Sequence, residues 1–279
     1  QGWGPYKTMA AEFNLTLTDY NMFKDDHFDI DSFKETLTAV MKKQNKVLVI
    51  LNDPCHNPTG YTMSEQEWDQ VIDFVNVLSK QGPVIILNDI AYVDYSNQGS
   101  KWKNHFLKYK YLEENVMAII AFSTSKTLTA YGARAGAAIA ITKNKEELQK
   151  FINAGIYSAR SIWSTVNNSA MDLFTLVTTS PRLREKYLVE KQQYVDLLKE
   201  RADIFVSECQ EVGLDIYPFR EGFFVTIRVV DQKAKETLNL KLQENNIFMV
   251  EVDGGLRVAI CSVPKRKLEG LARRIKDIM

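Results

Sequence analysis

The chain has few cysteines and no excess of charge of either sign. Three cysteines in 279 residues, at positions 55, 209 and 261, are too few and too widely spaced for a disulfide framework or a cysteine-based metal site. The 35 basic side chains balance 35 acidic ones. Without a basic surplus there is no case for nucleic acid or an anionic membrane as a partner. We expect a reduced, cytoplasmic setting.

Long hydrophobic runs are also missing. No stretch approaches the roughly 20 consecutive apolar residues that a membrane span needs. Hydrophobic residues make up 45% of the chain and charged residues 25%, which is typical of an ordinary globular protein. The length favours two domains. Because the first residue is Gln1 rather than methionine, we expect the chain to begin inside a longer protein.

Four short apolar runs predict the strands of a sheet, at residues 46–51, 83–87, 116–122 and 135–141. Near-continuous apolar runs are typical of parallel strands covered on both faces, so we expect a parallel sheet. Ser64 and Glu67 predict a capping box at the start of an intervening helix, and Asn144 predicts the start of another. Strands alternating with helices predict an α/β fold.

The pattern changes after about residue 181. Residues 181–212 predict one long, charged, amphipathic helix. The elements expected after it are strands at 214–218, 223–229, 247–252 and 256–260, a helix at 234–245 and a last helix from about Lys265. They predict a smaller α+β domain, residues 186–279, that follows a large α/β domain, residues 1–185.

Polar side chains follow three of the predicted strands, in residues 52–60, 88–92 and 123–127, and Arg134 precedes the fourth. Ligands of open α/β sheets bind beyond the carboxyl ends of the strands. A lysine there can form a Schiff base with a carbonyl cofactor, and an aspartate can keep a pyridine nitrogen protonated. Serine and arginine suit a phosphate. Together these groups predict pyridoxal phosphate as the cofactor.

In order and spacing, these motifs resemble the class I aminotransferases, which are fold type I pyridoxal-phosphate enzymes. The resemblance is carried by Asn57-Pro58-Thr59-Gly60, Asp89-x-x-Tyr92, Ser123-x-x-Lys126, Arg134 and Gly255-Leu256-Arg257. It covers essentially the whole chain. It implies a large domain with a mainly parallel sheet and a smaller α+β C-terminal domain.

The resemblance also implies how the cofactor is held. Lys126 would carry it as a Schiff base, and Asp89 would pair with its pyridinium nitrogen. Asn57 and Tyr92 would bind the oxygen on the ring. The reaction implied is ping-pong transfer of an amino group between an amino acid, aspartate or glutamate or an aromatic one, and a 2-oxo acid.

Further residues are assigned by the same resemblance. Ser123 and Arg134 would hold the phosphate, Trp3 would stack near the ring, and Arg257 would bind the substrate α-carboxylate. Arg160 lies 34 residues after Lys126. At this place in aspartate and aromatic aminotransferases an arginine reaches into the neighbouring subunit and holds a side-chain carboxylate. The resemblance therefore implies a homodimer with shared active sites.

Nothing in the chain corresponds to the N-terminal third of these enzymes. That third supplies a phosphate-binding loop at a helix N-terminus and a tyrosine that the partner subunit donates to the phosphate. We therefore expect the chain on its own to bind the cofactor poorly and to be inactive.

Two other interpretations fit the same residues. Another fold type I enzyme, such as a β-lyase or a decarboxylase, would share the core set. An aminotransferase-like sensor domain of a transcription regulator would bind the cofactor without turning over a substrate. Of the three histidines, His27 and His105 are predicted to lie on the surface, and His56 to be a packing residue near the site rather than a base.

Overall fold

The computed structural model of the chain describes residues 2–96 and 103–279. The strands are β1 (Phe23–Lys24), β2 (His27–Phe28), β3 (Val47–Asn52), β4 (Val84–Asp89), β5 (Val116–Ser123), β6 (Gly136–Ile141), β7 (Phe224–Arg228), β8 (Val250–Val252) and β9 (Gly255–Ala259). The helices are α1 (Pro5–Glu12), α2 (Ile30–Gln44), α3 (Glu65–Leu78), α4 (Lys103–Lys108), α5 (Thr124–Thr127), α6 (Lys145–Ile162), α7 (Asn168–Thr179), α8 (Pro181–Val212), α9 (Gln232–Glu244), α10 (Lys265–Leu268) and α11 (Leu271–Ile278).

A four-stranded sheet in the order β3-β4-β5-β6 organises the first half of the chain. The first three strands are parallel, and their register pairs Asn52 with Asp89 and Asp89 with Ala121. Because parallel strands end at the same edge of a sheet, the residues that follow β3, β4 and β5 meet there. The sheet is mainly parallel, as predicted.

The fourth strand differs from the prediction of a parallel sheet. β6 pairs antiparallel with β5, and Gly136 lies opposite Ser123. The connection, residues 124–135, holds one turn of α-helix and a 3-10 turn. Neither turn is a crossover helix of the kind that usually joins parallel neighbours. The chain therefore doubles back along β5.

The first hydrophobic core lies between this sheet and helices α2 and α3. The predicted capping box is present at the start of α3, where Ser64 Oγ accepts from Glu67 N and Ser64 N donates to Glu67 Oε2. Trp68 on α3 is fully buried. His105 stacks on it with ring centroids 5.5 Å apart and is buried, so the prediction that His105 lies on the surface is wrong.

The second hydrophobic core is built on α8, which spans the residues predicted for it. Leu198, Ala202 and Phe205 of α8 pack in this core with the antiparallel sheet β7-β9-β8. The helix ends at Gly213, whose φ of 63° is in the left-handed region that favours glycine at a helix end.

Three predicted elements of this part differ from expectation. The strand predicted at 247–252 forms only over Val250–Val252. Residues 214–218 make a single bridge to β7, from Ile216 to Ile227, and Pro218, which lacks an N–H, cannot extend the pairing. The predicted last helix is two helices, α10 and α11. Gly270 separates them with a φ of 74°, a conformation that a continuous helix does not contain.

One side of α6 carries exposed apolar side chains. Ile152, Ile156, Arg160 and Trp163 recur at spacings of three and four residues, so they share one side of α6. We call these four residues the α6 face. Ile156 is 65% exposed and Trp163 is 56% exposed. Among the described helices none is long and apolar enough to cross a membrane.

Candidate active site

The carboxylate of Asp89 lies at the end of β4 and accepts hydrogen bonds on both oxygens. Ala91 N donates to Oδ1 over 3.0 Å, and Tyr6 Oη donates to Oδ2 over 2.5 Å. The side-chain amide of Asn52, at the end of β3, donates to the Asp89 carbonyl over 3.0 Å. These hydrogen bonds therefore fix the orientation of the Asp89 carboxylate at the edge of the sheet.

Tyr6 is a site residue that the sequence reasoning missed. It lies on α1, whose first residue is Pro5, and its ring meets the Trp3 ring edge-on at 5.3 Å. Burial and the nearby Asp89 charge raise the pKa of Tyr6, so the phenol stays protonated and remains a donor. Residues 1–6 contain Trp3, a predicted site residue, but no periodicity in them indicates a role for Tyr6.

The turn after β3 presents Asn57. Asn57 N donates to Asn52 Oδ1 over 2.7 Å, and Gly60 N donates to the His56 carbonyl over 2.7 Å. Gly60 closes this turn with a φ of 75°. The Asn57 side-chain amide then points towards Tyr92 and donates to its Oη over 3.4 Å.

Tyr92 and Lys126 come together from two different strand ends. Lys126 Nζ lies 5.4 Å from the centroid of the Tyr92 ring and 5.8 Å from that of Tyr131. Burial is the main cause of the raised pKa of Tyr92, so its hydroxyl is neutral and able to donate. The amine thus borders the pair that Asn57 and Tyr92 form.

Arg257 approaches the same pair from β9. Its Nη1 donates to Asn57 Oδ1 over 2.7 Å, and its guanidinium lies over the Phe224 ring at 4.2 Å. Its Nε is buried and has no hydrogen-bond partner among the described residues. Burial lowers the pKa of Arg257, although a guanidinium stays charged in proteins.

Ser123 and Arg134 bracket the turn that carries Lys126. Ser123 Oγ caps α5 by accepting from Ser125 N over 3.2 Å. Arg134 is exposed, has a left-handed φ of 53° and donates from Nη1 to the Tyr131 carbonyl over 2.5 Å. Both therefore lie next to Lys126 along the chain, at the antiparallel return into β6.

Two predicted residues lie outside this cluster. Arg160 is exposed on α6, where its Nη1 donates to Ser164 Oγ over 2.6 Å. Trp3 is 38% exposed, and its ring contacts that of Tyr6, which bonds to Asp89. The structure thus brings together five of the nine predicted residues. The five are Asn57, Asp89, Tyr92, Lys126 and Arg257. Ser123 and Arg134 flank the Lys126 turn, Trp3 contacts Tyr6, and Arg160 lies on α6.

The donor set of the cluster fits pyridoxal phosphate. It offers an amine for an aldehyde, a carboxylate for a pyridinium nitrogen, and a phenol and an amide for a ring oxygen. The Arg257 guanidinium adds a charged group that can pair with an anionic ligand. No group of three or more histidine, cysteine or acidic side chains in residues 2–96 and 103–279 could hold a metal ion.

The family model for aminotransferase class I and II matches residues 1–275. The chain belongs to this family. Its structure is similar to an aminotransferase from Anaerococcus prevotii, with 32% identity and a TM-score of 0.94, covering 99% of this chain and 67% of that one. This likeness shows the fold of the fold type I aminotransferases.

Two further relatives are more distant. Chicken mitochondrial aspartate aminotransferase is 22% identical over 211 residues, which are 76% of this chain and 48% of that protein. An aromatic-amino-acid aminotransferase from Burkholderia pseudomallei, covalently bound to pyridoxal phosphate, is 20% identical with a TM-score of 0.79, over 99% of this chain and 67% of that one. The chain therefore spans about half the length of the curated aspartate aminotransferase that it matches.

Proposed function

We propose that the protein is a pyridoxal-phosphate-dependent aminotransferase that moves an amino group between an amino acid and a 2-oxo acid. One observation carries the proposal: the Lys126 amine lies beside the hydrogen-bonded pair of Asn57 and Tyr92. Arg257 contacts the same pair. Family membership supports the class of reaction. The aspartate and aromatic-amino-acid specificities of the relatives support one of these amino acids as substrate.

Lys126 is the proposed catalytic residue. Its amine would hold the cofactor through the aldehyde carbon, and the substrate amine would take over that position. The free amine would then accept the proton from the substrate α-carbon and hold it for donation later in the transfer. This is the role of a general base, which must lie close to the α-carbon. Bound pyridoxal phosphate supplies the electron-withdrawing ring that accepts the electron pair of the broken C–H bond.

Three residues are proposed to set the electronic properties of the ring. Asp89 would face the pyridine nitrogen and keep it protonated, and the two donors on its oxygens hold the carboxylate in place. Tyr92 and Asn57 would donate to the ring oxygen. The raised pKa of Tyr92 supports this role, because only the protonated phenol donates.

Arg257 is proposed to bind the substrate α-carboxylate. Its guanidinium is charged and planar, so it can pair with a carboxylate through parallel N–H donors. The Asn57 side chain and the Phe224 ring hold the guanidinium in one orientation. Fixing the carboxylate end of the substrate aligns the α-C–H bond with the Lys126 amine.

The remaining assignments rest on position along the chain. Ser123 and Arg134 are proposed to hold the phosphate, because they flank the turn of Lys126, and Trp3 is proposed to stack on the ring. We propose a homodimer in which Arg160 of one subunit serves the site of the other. The exposure of Arg160 on the α6 face supports this. The three free cysteines agree with the proposed cytoplasmic setting.

Replacing Lys126 tests the proposal in the full-length protein. Lys126→Ala should abolish both the visible absorbance of attached cofactor and amino transfer, because no amine remains to carry the cofactor. Lys143→Ala, which alters a lysine outside the cluster, is the matched control and should behave as the unaltered protein.

The reaction type is tested with the same proteins. An amino acid should be converted only when a 2-oxo acid is present, since the amino group needs an acceptor. Amino transfer by Lys126→Ala would contradict the role of the lysine. Steady product formation without any 2-oxo acid would indicate a lyase or decarboxylase instead.

A further inference from the structure

The turn that carries Lys126 is held by two tyrosine hydroxyls from other segments. Tyr187 Oη donates to the Thr127 carbonyl over 2.7 Å, and Tyr95 Oη donates to the Lys126 carbonyl over 3.2 Å. α5 spans only Thr124–Thr127, and its backbone bonds are local: Leu128 N donates to the Thr124 carbonyl and Thr129 N to the Lys126 carbonyl. The two tyrosine hydroxyls add bonds that tie this short turn to other elements.

Both hydroxyls are dependable donors. Burial is the largest cause of a raised pKa at each, and the pKa of Tyr95 reaches about 12. The pKa of Tyr187 is raised by burial and by the charge of Asp94. Each phenol therefore keeps its proton across the pH range in which the protein would work.

An ion pair ties the two tyrosine-bearing segments together. Lys191 Nζ lies 2.6 Å from Asp94 Oδ1, with the two side chains 21% and 15% exposed. Lys191 is one helical turn after Tyr187 on α8, and Asp94 directly precedes Tyr95. The early part of α8, the 3-10 turn Val93–Tyr95 and the Lys126 turn thus form one hydrogen-bonded unit.

The same helix also contacts the strand of Arg257. Arg201 Nη1 on α8 donates to the Cys261 carbonyl over 2.7 Å, four residues beyond Arg257. Tyr187 and Arg201 are about 21 Å apart along the helix axis at roughly 1.5 Å per residue. One continuous helix therefore bonds to the backbone next to Lys126 at one point and to the turn after the Arg257 strand at another.

We propose that Tyr187 and Tyr95 are positioning residues for Lys126, and that α8 sets the distance between the Lys126 amine and the Arg257 guanidinium. This rests on the proposed function of Lys126. Neither tyrosine touches the substrate: each acts through a backbone carbonyl of the lysine turn. Loss of a hydroxyl lets the turn shift, and the amine then meets an aldehyde or an α-carbon less often in a reactive geometry.

The test is chemical trapping of Lys126 in the full-length protein. Pyridoxal phosphate and cyanoborohydride convert a lysine amine that meets the aldehyde into a stable secondary amine, which peptide mass spectrometry counts at each position. Lys143, outside the cluster, serves as an internal standard. The variants are Tyr187→Phe, Tyr95→Phe and the control Tyr194→Phe, which alters an exposed tyrosine on the same helix.

We expect the trapping rate at Lys126, relative to Lys143, to fall about fivefold in Tyr187→Phe, as the loss of one hydrogen bond would give. It should fall in Tyr95→Phe as well and stay unchanged in Tyr194→Phe. In turnover, kcat should fall with KM for the amino acid retained, because Arg257 still binds the carboxylate. A role in stability alone would lower the melting temperature and leave the trapping ratio unchanged below it.

Two failures are distinguishable. If Lys126 is not trapped faster than Lys143 in the unaltered protein, the proposed function is wrong. If Lys126 is trapped preferentially and neither Tyr187→Phe nor Tyr95→Phe changes that preference, the positioning role is overturned. Tyr95→Phe decides the matter should Tyr187→Phe fail to fold, since it removes the second hydroxyl from the same turn.

Discussion

His56 lies in the turn after β3 and is kept neutral by its surroundings. Its ring is buried, and its Nδ1 lies 2.8 Å from Thr59 Oγ1. Burial lowers the pKa of His56 from 6.5 to about 3. A histidine that cannot charge in the folded protein does not serve as a general base near neutral pH. This agrees with the prediction that His56 is a packing residue.

The neutral His56 makes the fold sensitive to acid. Its folded pKa is below the unfolded value of 6.5, so the unfolded chain gains a proton first as the pH falls. Its stabilisation is complete above a pH of 6.5 and is lost as the pH falls towards 3. Between roughly pH 6.5 and 5 we expect a loss of about 2 kcal/mol in the free energy of unfolding from this residue.

Denaturant titrations at about pH 7 and about pH 5 check this prediction. His56→Asn keeps a polar atom near the position of Nδ1 but cannot take up a proton, so the variant should lose less stability on acidification. His27→Asn, at an exposed histidine, should lose as much as the unaltered protein. Equal losses in His56→Asn and the unaltered protein would contradict the assignment.

Single residues also show how far the sequence predicts the site. The closeness of Asn57, Asp89, Tyr92 and Lys126 was predictable, because each lies at or after the carboxyl end of a strand that an apolar run predicts. That of Tyr6 was not, because its partner Asp89 is 83 residues away along the chain. Nothing local marks a tyrosine that acts across such a distance.

At the scale of elements, the turn at Gly60 connects the site to the second core. Arg220 N and Glu221 N both donate to the Gly60 carbonyl over 2.9 Å, and Thr226 Oγ1 of β7 donates to the Pro58 carbonyl over 2.7 Å. A Cβ at Gly60 would lie 2.3 Å from Phe219 Cδ2 and 2.5 Å from the Phe224 carbonyl oxygen. The turn therefore needs glycine for space as well as for its positive φ.

Gly213 provides a matched control for Gly60, because its φ is also positive and no atom lies within 4 Å of the place that a Cβ would take. Gly213→Ala should cost about 1–2 kcal/mol in unfolding free energy from backbone strain alone. Gly60→Ala should cost about 1–3 kcal/mol more, because a packed neighbour must move. Denaturant titration measures both, and equal costs would show that the Phe219 contact gives way easily.

Elements were predictable where one local pattern decided them. The capping box of α3 and the long amphipathic helix α8 are examples, since both depend on nearby residues only. The direction of β6 was not, because its apolar run is compatible with either pairing. It is decided by the short connection from β5. Likewise, the positive φ of Gly270 separates α10 from α11, and an apolar pattern does not indicate such a break.

At the scale of the whole molecule, the α6 face is an exposed surface on which a partner could pack. Its apolar members are exposed, and Arg160 lies between Ile156 and Trp163 on the same side. Exposed apolar surface that is rimmed by polar residues marks interaction sites. The proposed homodimer, in which Arg160 serves the other subunit, would cover this face with a second copy.

Placing a charge on this face tests the homodimer. In the full-length protein, Ile156→Glu should lower the dimer fraction measured by sedimentation, because an unpaired carboxylate is costly to bury. Phe248→Glu is the control, since Phe248 is 76% exposed but lies far along the chain between α9 and β8. An Ile156→Glu protein of unchanged mass would exclude the α6 face from the dimer contact.

The contact of Trp3 with Tyr6 has a practical consequence. Tyr6 contacts Trp3 and bonds to Asp89, so the Trp3 indole lies close to the site. A bound ligand that absorbs the emitted light, such as a Schiff-base chromophore, should therefore quench the Trp3 fluorescence. The other tryptophans are Trp68, Trp102 and Trp163, and subtracting the signal of Trp3→Phe removes their emission and isolates that of Trp3. The chain thus carries an intrinsic optical probe for following cofactor uptake in real time, without a label.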